Sequence, residues 1–186
     1  MRGDVFSIGM LLRFRNVSGW APDGLFAEVA KMTAEIVLKD FEAGRADTVG
    51  RRLFAQNGIR GIRGEAAQGL PSVGRLGLPT YLALKGQGLS SQRAGAVTLL
   101  HLICHVEDTN MVSRGGLNGA KEGRERTLAL LSEASIPSDQ QIEALDDWFI
   151  RRNLSPGGCA DLLAAIYFVD RLSFASACGE EPYAHA

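Results

Sequence analysis

Asn153-Leu154-Ser155-Pro156-Gly157-Gly158-Cys159-Ala160-Asp161-Leu162-Leu163 is a polar, glycine-containing turn that runs directly into an apolar helix. Ser155 reads as the cap, because its hydroxyl can accept from an unpaired amide of the first turn. Pro156 fits the first helical position, where its missing N–H is no loss. Behind the turn, Leu162, Leu163, Ile166, Val169 and Leu172 recur at helical spacing and would anchor it to a core. Free amides at a helix N-terminus, with Gly157 and Gly158 permitting close backbone approach, suit a phosphate, and Asp161 adds a carboxylate one turn in. An ordinary capped helix whose Asp161 complements the dipole is the alternative reading.

Working outward, every strongly patterned segment is helical. Leu25, Val29, Met32, Thr33, Ile36 and Val37 keep one face apolar after Pro22-Asp23-Gly24, and a shorter apolar helix precedes them at Val5, Phe6, Ile8, Leu11 and Leu12. Thr48 reads as the cap of a helix that Asn57-Gly58 closes with a left-handed residue. Ser90 or Ser91 starts a further helix, through Ala94, Val97, Leu100 and Ile103, and a polar-faced helix spans residues 120–134. Ser138 with Gln141 forms a capping box ahead of Ile142, Leu145, Trp148 and Phe149. No segment reads as a strand, so the expectation is an all-α helical bundle with glycine-rich loops forming a nucleotide cleft. One domain over residues 1–172 and a fraying tail over 173–186 complete the division.

Composition narrows the function. The 186 residues carry a net charge of -1, which argues against a broad nucleic-acid surface. No apolar run reaches the ~18 residues that cross a bilayer, and no leader pattern opens the chain, so no membrane is expected and the cytoplasm is the default location. Cys104, Cys159 and Cys178 form no C-x-x-C pair, so reduced thiols are expected. His101 and His105 share a helix face but lack a third ligand at suitable spacing, and His101 reads as a hydrogen-bonded helix residue.

Three polar stretches stand apart from this scaffold. Residues 58–73 lose all periodicity and hold Arg60, Arg63 and Glu65 among four glycines before Leu70, which reads as a binding loop tethered by Ile59, Ile62, Leu70 and Val73. Glu107 and Asp108 follow a helix C-terminus, where they oppose the dipole and invite a cation or an arginine such as Arg114, in a second glycine loop with Gly115 and Gly116. The third stretch is the opening turn. Together they hold several cations, several carboxylates and a helix N-terminus, the equipment for a magnesium polyphosphate.

These stretches resemble the triphosphoribosyl-dephospho-coenzyme A synthase family, which makes the prosthetic-group precursor of citrate lyase and malonate decarboxylase. The matching pieces are Gly58-Ile59-Arg60-Gly61-Ile62-Arg63-Gly64-Glu65-Ala66 with Gly69-Leu70-Pro71-Ser72-Val73, then His105-Val106-Glu107-Asp108-Thr109-Asn110 with Arg114-Gly115-Gly116, then the opening turn. The resemblance implies an all-α fold and a reaction between ATP and 3′-dephospho-CoA. In it the triphosphoribosyl group passes to the ribose 2′-hydroxyl and adenine is released. It also implies Pro-Lys-Pro-Gly and Gly-x-His segments that this sequence lacks, so the chain is expected to be an N-terminally shortened form with little turnover alone. A catalytically impaired remnant, an oligomer, or a partner supplying those segments stays open beside the full enzyme.

Displacing adenine from the ribose requires a held triphosphate, a group to orient or deprotonate the hydroxyl, and charge neutralisation. Arg60, Arg63, Arg114, Gly115, Gly116, Ser155, Gly157 and Gly158 are the candidates for phosphate and substrate binding. Glu65 and Glu107 are the candidates for the catalytic base, and Asp108 and Asp161 for Mg²⁺. For each carboxylate, an ion pair with a neighbouring arginine is the competing reading.

Overall fold

A computed structural model describes residues 22–42 and 49–178; the expected helix around Val5 to Leu12 and the Thr48 cap lie outside the described residues. Eight α-helices and one π-helical segment make up the described chain, and no strand occurs among the described residues. The fold is all-α. We number the helices α1 Pro22–Glu42, α2 Val49–Asn57, α3 Gly61–Ala67, α4 Leu78–Gly86, α5 Ser91–His105, α6 Thr109–Glu133, α7 Asp139–Arg151 and α8 Gly157–Cys178, with the π-helical segment Ser72–Gly77 running into α4.

Helix α5 is the centre. Ala94, Val97, Leu100, Leu102 and Ile103 are all buried, and α4, the π-helical segment, α6 and α8 pack around it. A helix apolar on so many sides belongs in a core rather than on a surface. Ser90 caps it as the sequence predicts, its hydroxyl accepting from the Arg93 amide at 3.2 Å. Opposite, α8 sets Leu162, Ile166 and Val169 into the same core, with Ile166 fully buried. Helix α8 continues past Leu172, where the apolar period stops, to Cys178.

Local chemistry explains where the helices stop. Gly58 closes α2 with φ 71 and an amide bond to the Phe54 carbonyl of 2.8 Å, as Asn57-Gly58 predicts. Helix α7 begins with the Ser138/Gln141 capping box and ends in a Schellman turn, with Leu154 N–H donating to the Phe149 carbonyl and Asn153 N–H to that of Ile150. Asn153 takes the left-handed position, φ 53, which asparagine tolerates better than most side chains. The same turn closes α3 through Gly69 and Leu70, where Leu70 N–H donates to the Glu65 carbonyl at 2.7 Å.

Two expectations about loops change. Residues 58–73 are not a single loop but α3, its Schellman turn and the start of the π-helical segment. Periodicity vanishes in the sequence because these pieces are short and are separated by residues with positive φ at Gly61, Gly69 and Leu70. The second glycine loop is likewise helical: α6 begins at Thr109 rather than near residue 120, and absorbs Arg114-Gly115-Gly116 in a kink where Gly116 has φ 69 and ψ -179. Asp108 therefore stands at a helix N-terminus, with the dipole rather than against it.

Candidate functional site

Asp108 joins two of the three stretches, and its neighbour Thr109 meets the third. Asp108 Oδ1 accepts from the Asn110 amide at 2.8 Å and the Met111 amide at 3.3 Å, which caps α6. Its Oδ2 accepts from the Cys159 amide at 2.9 Å, in the first turn of α8. One carboxylate thus caps two helices that begin 48 residues apart, one of them in trans. The cap expected from Ser155 is supplied by Asp108 instead, and the first intrahelical bond, Ala160 N–H to the Pro156 carbonyl at 2.9 Å, sets Pro156 just ahead of α8 rather than in its first position.

The glycines of the turn are explained by this junction. A Cβ on Gly158 would lie 3.2 Å from Asp108 Oδ2, and one on Gly157 would lie 2.6 Å from Asn110 Nδ2. The first stretch joins on the other side, where Gly61, at φ 55, leaves a Cβ position only 2.6 Å from Thr109 Cγ2. Glu65 is the internal clamp of that stretch: Oε2 accepts from the Ser72 amide at 3.0 Å and Oε1 from the Ser72 hydroxyl at 2.7 Å, which caps the π-helical segment. Thr33 ties the assembly to α1, its hydroxyl 2.7 Å from the carbonyl of Ala66. Cys159 is fully buried beside Asp108. Burial first, and the Asp108 carboxylate second, push its thiol well above the usual range, so it is held protonated.

The remaining candidates are exposed or half-buried. Arg60, Glu107, Arg114, Gly116 and Asp161 are exposed, and Arg63, Gly115 and Ser155 are half-buried. Glu107 borders a cavity of ≈ 230 Å³ between the end of α2 and α6, together with Asn57, Asp108 and Arg124. Arg114 borders a different one, ≈ 550 Å³, between α5, α7 and the turn. The pairing of Glu107 with Arg114 anticipated from sequence is therefore replaced: Arg124 is the arginine on the Glu107 cavity, and Arg114 lies 3.4 Å from Asn153 Oδ1. Ser155 lines the Arg114 cavity, and Leu154 packs against Gly115, where an added Cβ would lie 2.3 Å from Leu154 Cδ2.

Sequence reasoning did not single out Arg124 or the walls of the larger cavity. The signal was weak, because Arg124 sits in a polar-faced helix and the cavity walls look like ordinary amphipathic faces. Asp108, a candidate for Mg²⁺ in the sequence, accepts from three backbone amides and is thereby held in place. Among the described residues no group of three or more His, Cys, Asp or Glu side chains gathers to hold a metal ion. His101 is half-buried in α5, and desolvation, then the neighbouring His105, lower its pKa below the ordinary 6.5. None of the helices among the described residues is long and apolar enough to cross a membrane.

The model of the CitG family, ATP:dephospho-CoA triphosphoribosyl transferase, matches residues 14–178, a span that contains all three motif stretches. A Vibrio cholerae protein named probable 2-(5''-triphosphoribosyl)-3'-dephosphocoenzyme-A synthase is 40% identical over 143 residues, covering 74% of this chain and 46% of its own length. The Citrobacter koseri protein of the same name is 36% identical over 181 residues, 92% of this chain and 60% of its own. The Pectobacterium atrosepticum 2-(5''-triphosphoribosyl)-3'-dephosphocoenzyme-A synthase is 35% identical over 178 residues, 90% and 57% respectively. The chain spans about half to three-fifths of the length of these relatives. No solved structure matches it. With the family match running through Asp108 and every segment that it joins, the chain belongs to the ATP:dephospho-CoA triphosphoribosyl transferase family.

Proposed function

We propose that this chain takes part in moving the triphosphoribosyl group of ATP to the ribose 2′-hydroxyl of 3′-dephospho-CoA, with release of adenine. The observation that carries the reading is the family match over residues 14–178, whose three motif stretches meet at Asp108 and its neighbour Thr109. In this reading the bond from ribose C1 to adenine breaks, the acceptor oxygen bonds to C1, the hydroxyl proton leaves to a base, and adenine departs with a proton.

The residues divide by where they point. Asp108, Glu65, Gly157 and Gly158 act as positioning groups, holding the turn, α3 and the start of α6 in one fixed relation so that the outward side chains do not have to reorganise. Arg60, the residue before α3, and Arg63, in its first turn, are assigned to the triphosphate. Glu107 is assigned as the base: it is exposed, stands next to the rigid Asp108, and shares its cavity with a cation, Arg124. Mg²⁺ enters with ATP as part of the substrate, and Asp161 is the motif carboxylate open to solvent to meet it. The cytoplasm, where both substrates are available, is the assigned location.

The test is adenine release from MgATP, followed chromatographically with and without 3′-dephospho-CoA, together with the mass of the adduct. Release that depends on the acceptor and is lost in Glu107→Gln, at unchanged MgATP affinity, is the expected result. Adenine release independent of the acceptor, or MgATP that does not bind the folded chain, overturns the reading.

A further inference from the structure

A second cavity lies beside the motif junction rather than within it. Leu99, Leu100 and Ile103 of α5 form one wall, and Leu145, Phe149 and Ile150 of α7 form the other. At ≈ 550 Å³ it falls in the range of small-molecule sites, which bury a mostly apolar ligand body and hold it by a few polar groups. Its polar lining residues are few: Arg114 and Asn153, 3.4 Å apart, with Ser155, Glu143 and Asp146. Two of the three motif stretches thus contribute to a cavity whose walls come from helices outside those stretches.

Charge decides which part of the two substrates fits. The lining carries one guanidinium and two carboxylates, a net negative charge that disfavours a triphosphate, which brings several negative charges of its own. A neutral, largely apolar chain carrying amides and a hydroxyl meets apolar walls, carboxylate acceptors for its N–H and O–H groups, and a single cation for the phosphate where it ends. That description fits the pantetheine arm of 3′-dephospho-CoA, and ATP has no counterpart of it. Resting on the transfer reading above, we propose that the cavity between α5 and α7 is the acceptor subsite, holding the pantetheine arm with its adjoining phosphate on Arg114. Arg114 is then a specificity residue for the acceptor, and the triphosphate is left to Arg60 and Arg63.

The experiment measures the affinities of 4′-phosphopantetheine, 3′-dephospho-CoA and MgATP separately by calorimetry, on the wild-type chain and on two variants. Ala96→Phe adds a ring to the cavity wall, and Ile150→Glu adds a carboxylate at a position 66% exposed, where folding is not at stake. Both variants are expected to weaken 4′-phosphopantetheine and 3′-dephospho-CoA at least tenfold and to leave MgATP unchanged. Acceptor affinity unchanged in Ile150→Glu, or loss of MgATP affinity instead, overturns the subsite. The two readings fail separately: a chain that binds 4′-phosphopantetheine in the cavity but never MgATP loses the transfer reaction and keeps the subsite, whereas a chain that binds MgATP and takes its acceptor elsewhere loses only the subsite.

Discussion

The Asp108 junction and the cavity above Arg114 are neighbours built on opposite principles. At the junction every motif group is engaged inward: Asp108 is 4% exposed and accepts from three amides, Glu65 holds Ser72, and the glycines sit at van der Waals distance from side chains. Around the cavity the motif groups point outward over apolar walls. The difference teaches that residues of one motif need not share one task. Those that cannot change without moving backbone hold the geometry, and those that could change without unfolding the chain are the ones available to ligands.

Removing Asp108 breaks the comparison most completely. Asp108→Ala uncaps α6 and α8 together and leaves buried amides unpaired, so a loss of about 3 kcal/mol is expected, seen as a fall of roughly 6–12 °C in melting temperature. Asp108→Asn keeps one acceptor but sets an amide N–H₂ against the Cys159 N–H or those of α6, and should lose about half as much. A variant as stable as wild type would remove the junction from the account.

Gly61→Ala is expected to follow, at about 2 kcal/mol, because it combines a left-handed φ with a clash on the Thr109 side chain. Ser72→Ala should cost roughly 1 kcal/mol by removing the hydroxyl bond to Glu65 while the amide bond survives. On the outward side, Arg114→Ala should leave the melting temperature of the free chain within about 1 °C, since the side chain is exposed, and should reduce the upward shift produced by 3′-dephospho-CoA. Equal shifts in wild type and Arg114→Ala would count against the acceptor subsite.

The smallest expected effect is a pH dependence from His101. Its folded pKa lies below 6.5, so the unfolded chain takes up the proton first as pH falls. The neutral imidazole's contribution is fully present above about pH 6.5 and is lost as pH drops through the folded value. Denaturation midpoints across that window should decline in wild type and decline less in His101→Gln. A steeper decline in the variant would reverse the sign assigned here.

The sequence made the helices legible wherever start and stop signals sat beside a sustained period, as at Ser90 and at the Ser138/Gln141 capping box. It failed at α6, because Gly115-Gly116 mimic a loop and a kink inside a helix leaves the same local signature. The cap from Asp108 was illegible for a different reason: a hydroxyl at Ser155 is a sufficient local explanation, and nothing near it announces a carboxylate 51 residues before Cys159. The three motif stretches could be named in advance, but the split between inward and outward residues could not. That split depends on burial and on which cavity each helix face borders. The apolar cavity stayed hidden because its walls, in α5 and α7, follow the pattern of any amphipathic helix packed on a core.

The central claim is that donor and acceptor occupy separate places on either side of the junction, and titrating 3′-dephospho-CoA into the folded chain with and without saturating MgATP tests it most directly. Both ligands are expected to bind at once, with acceptor affinity undiminished by MgATP and lowered at least tenfold by Ile150→Glu. Competitive binding, in which MgATP displaces 3′-dephospho-CoA, would place both nucleotides in one pocket and contradict it.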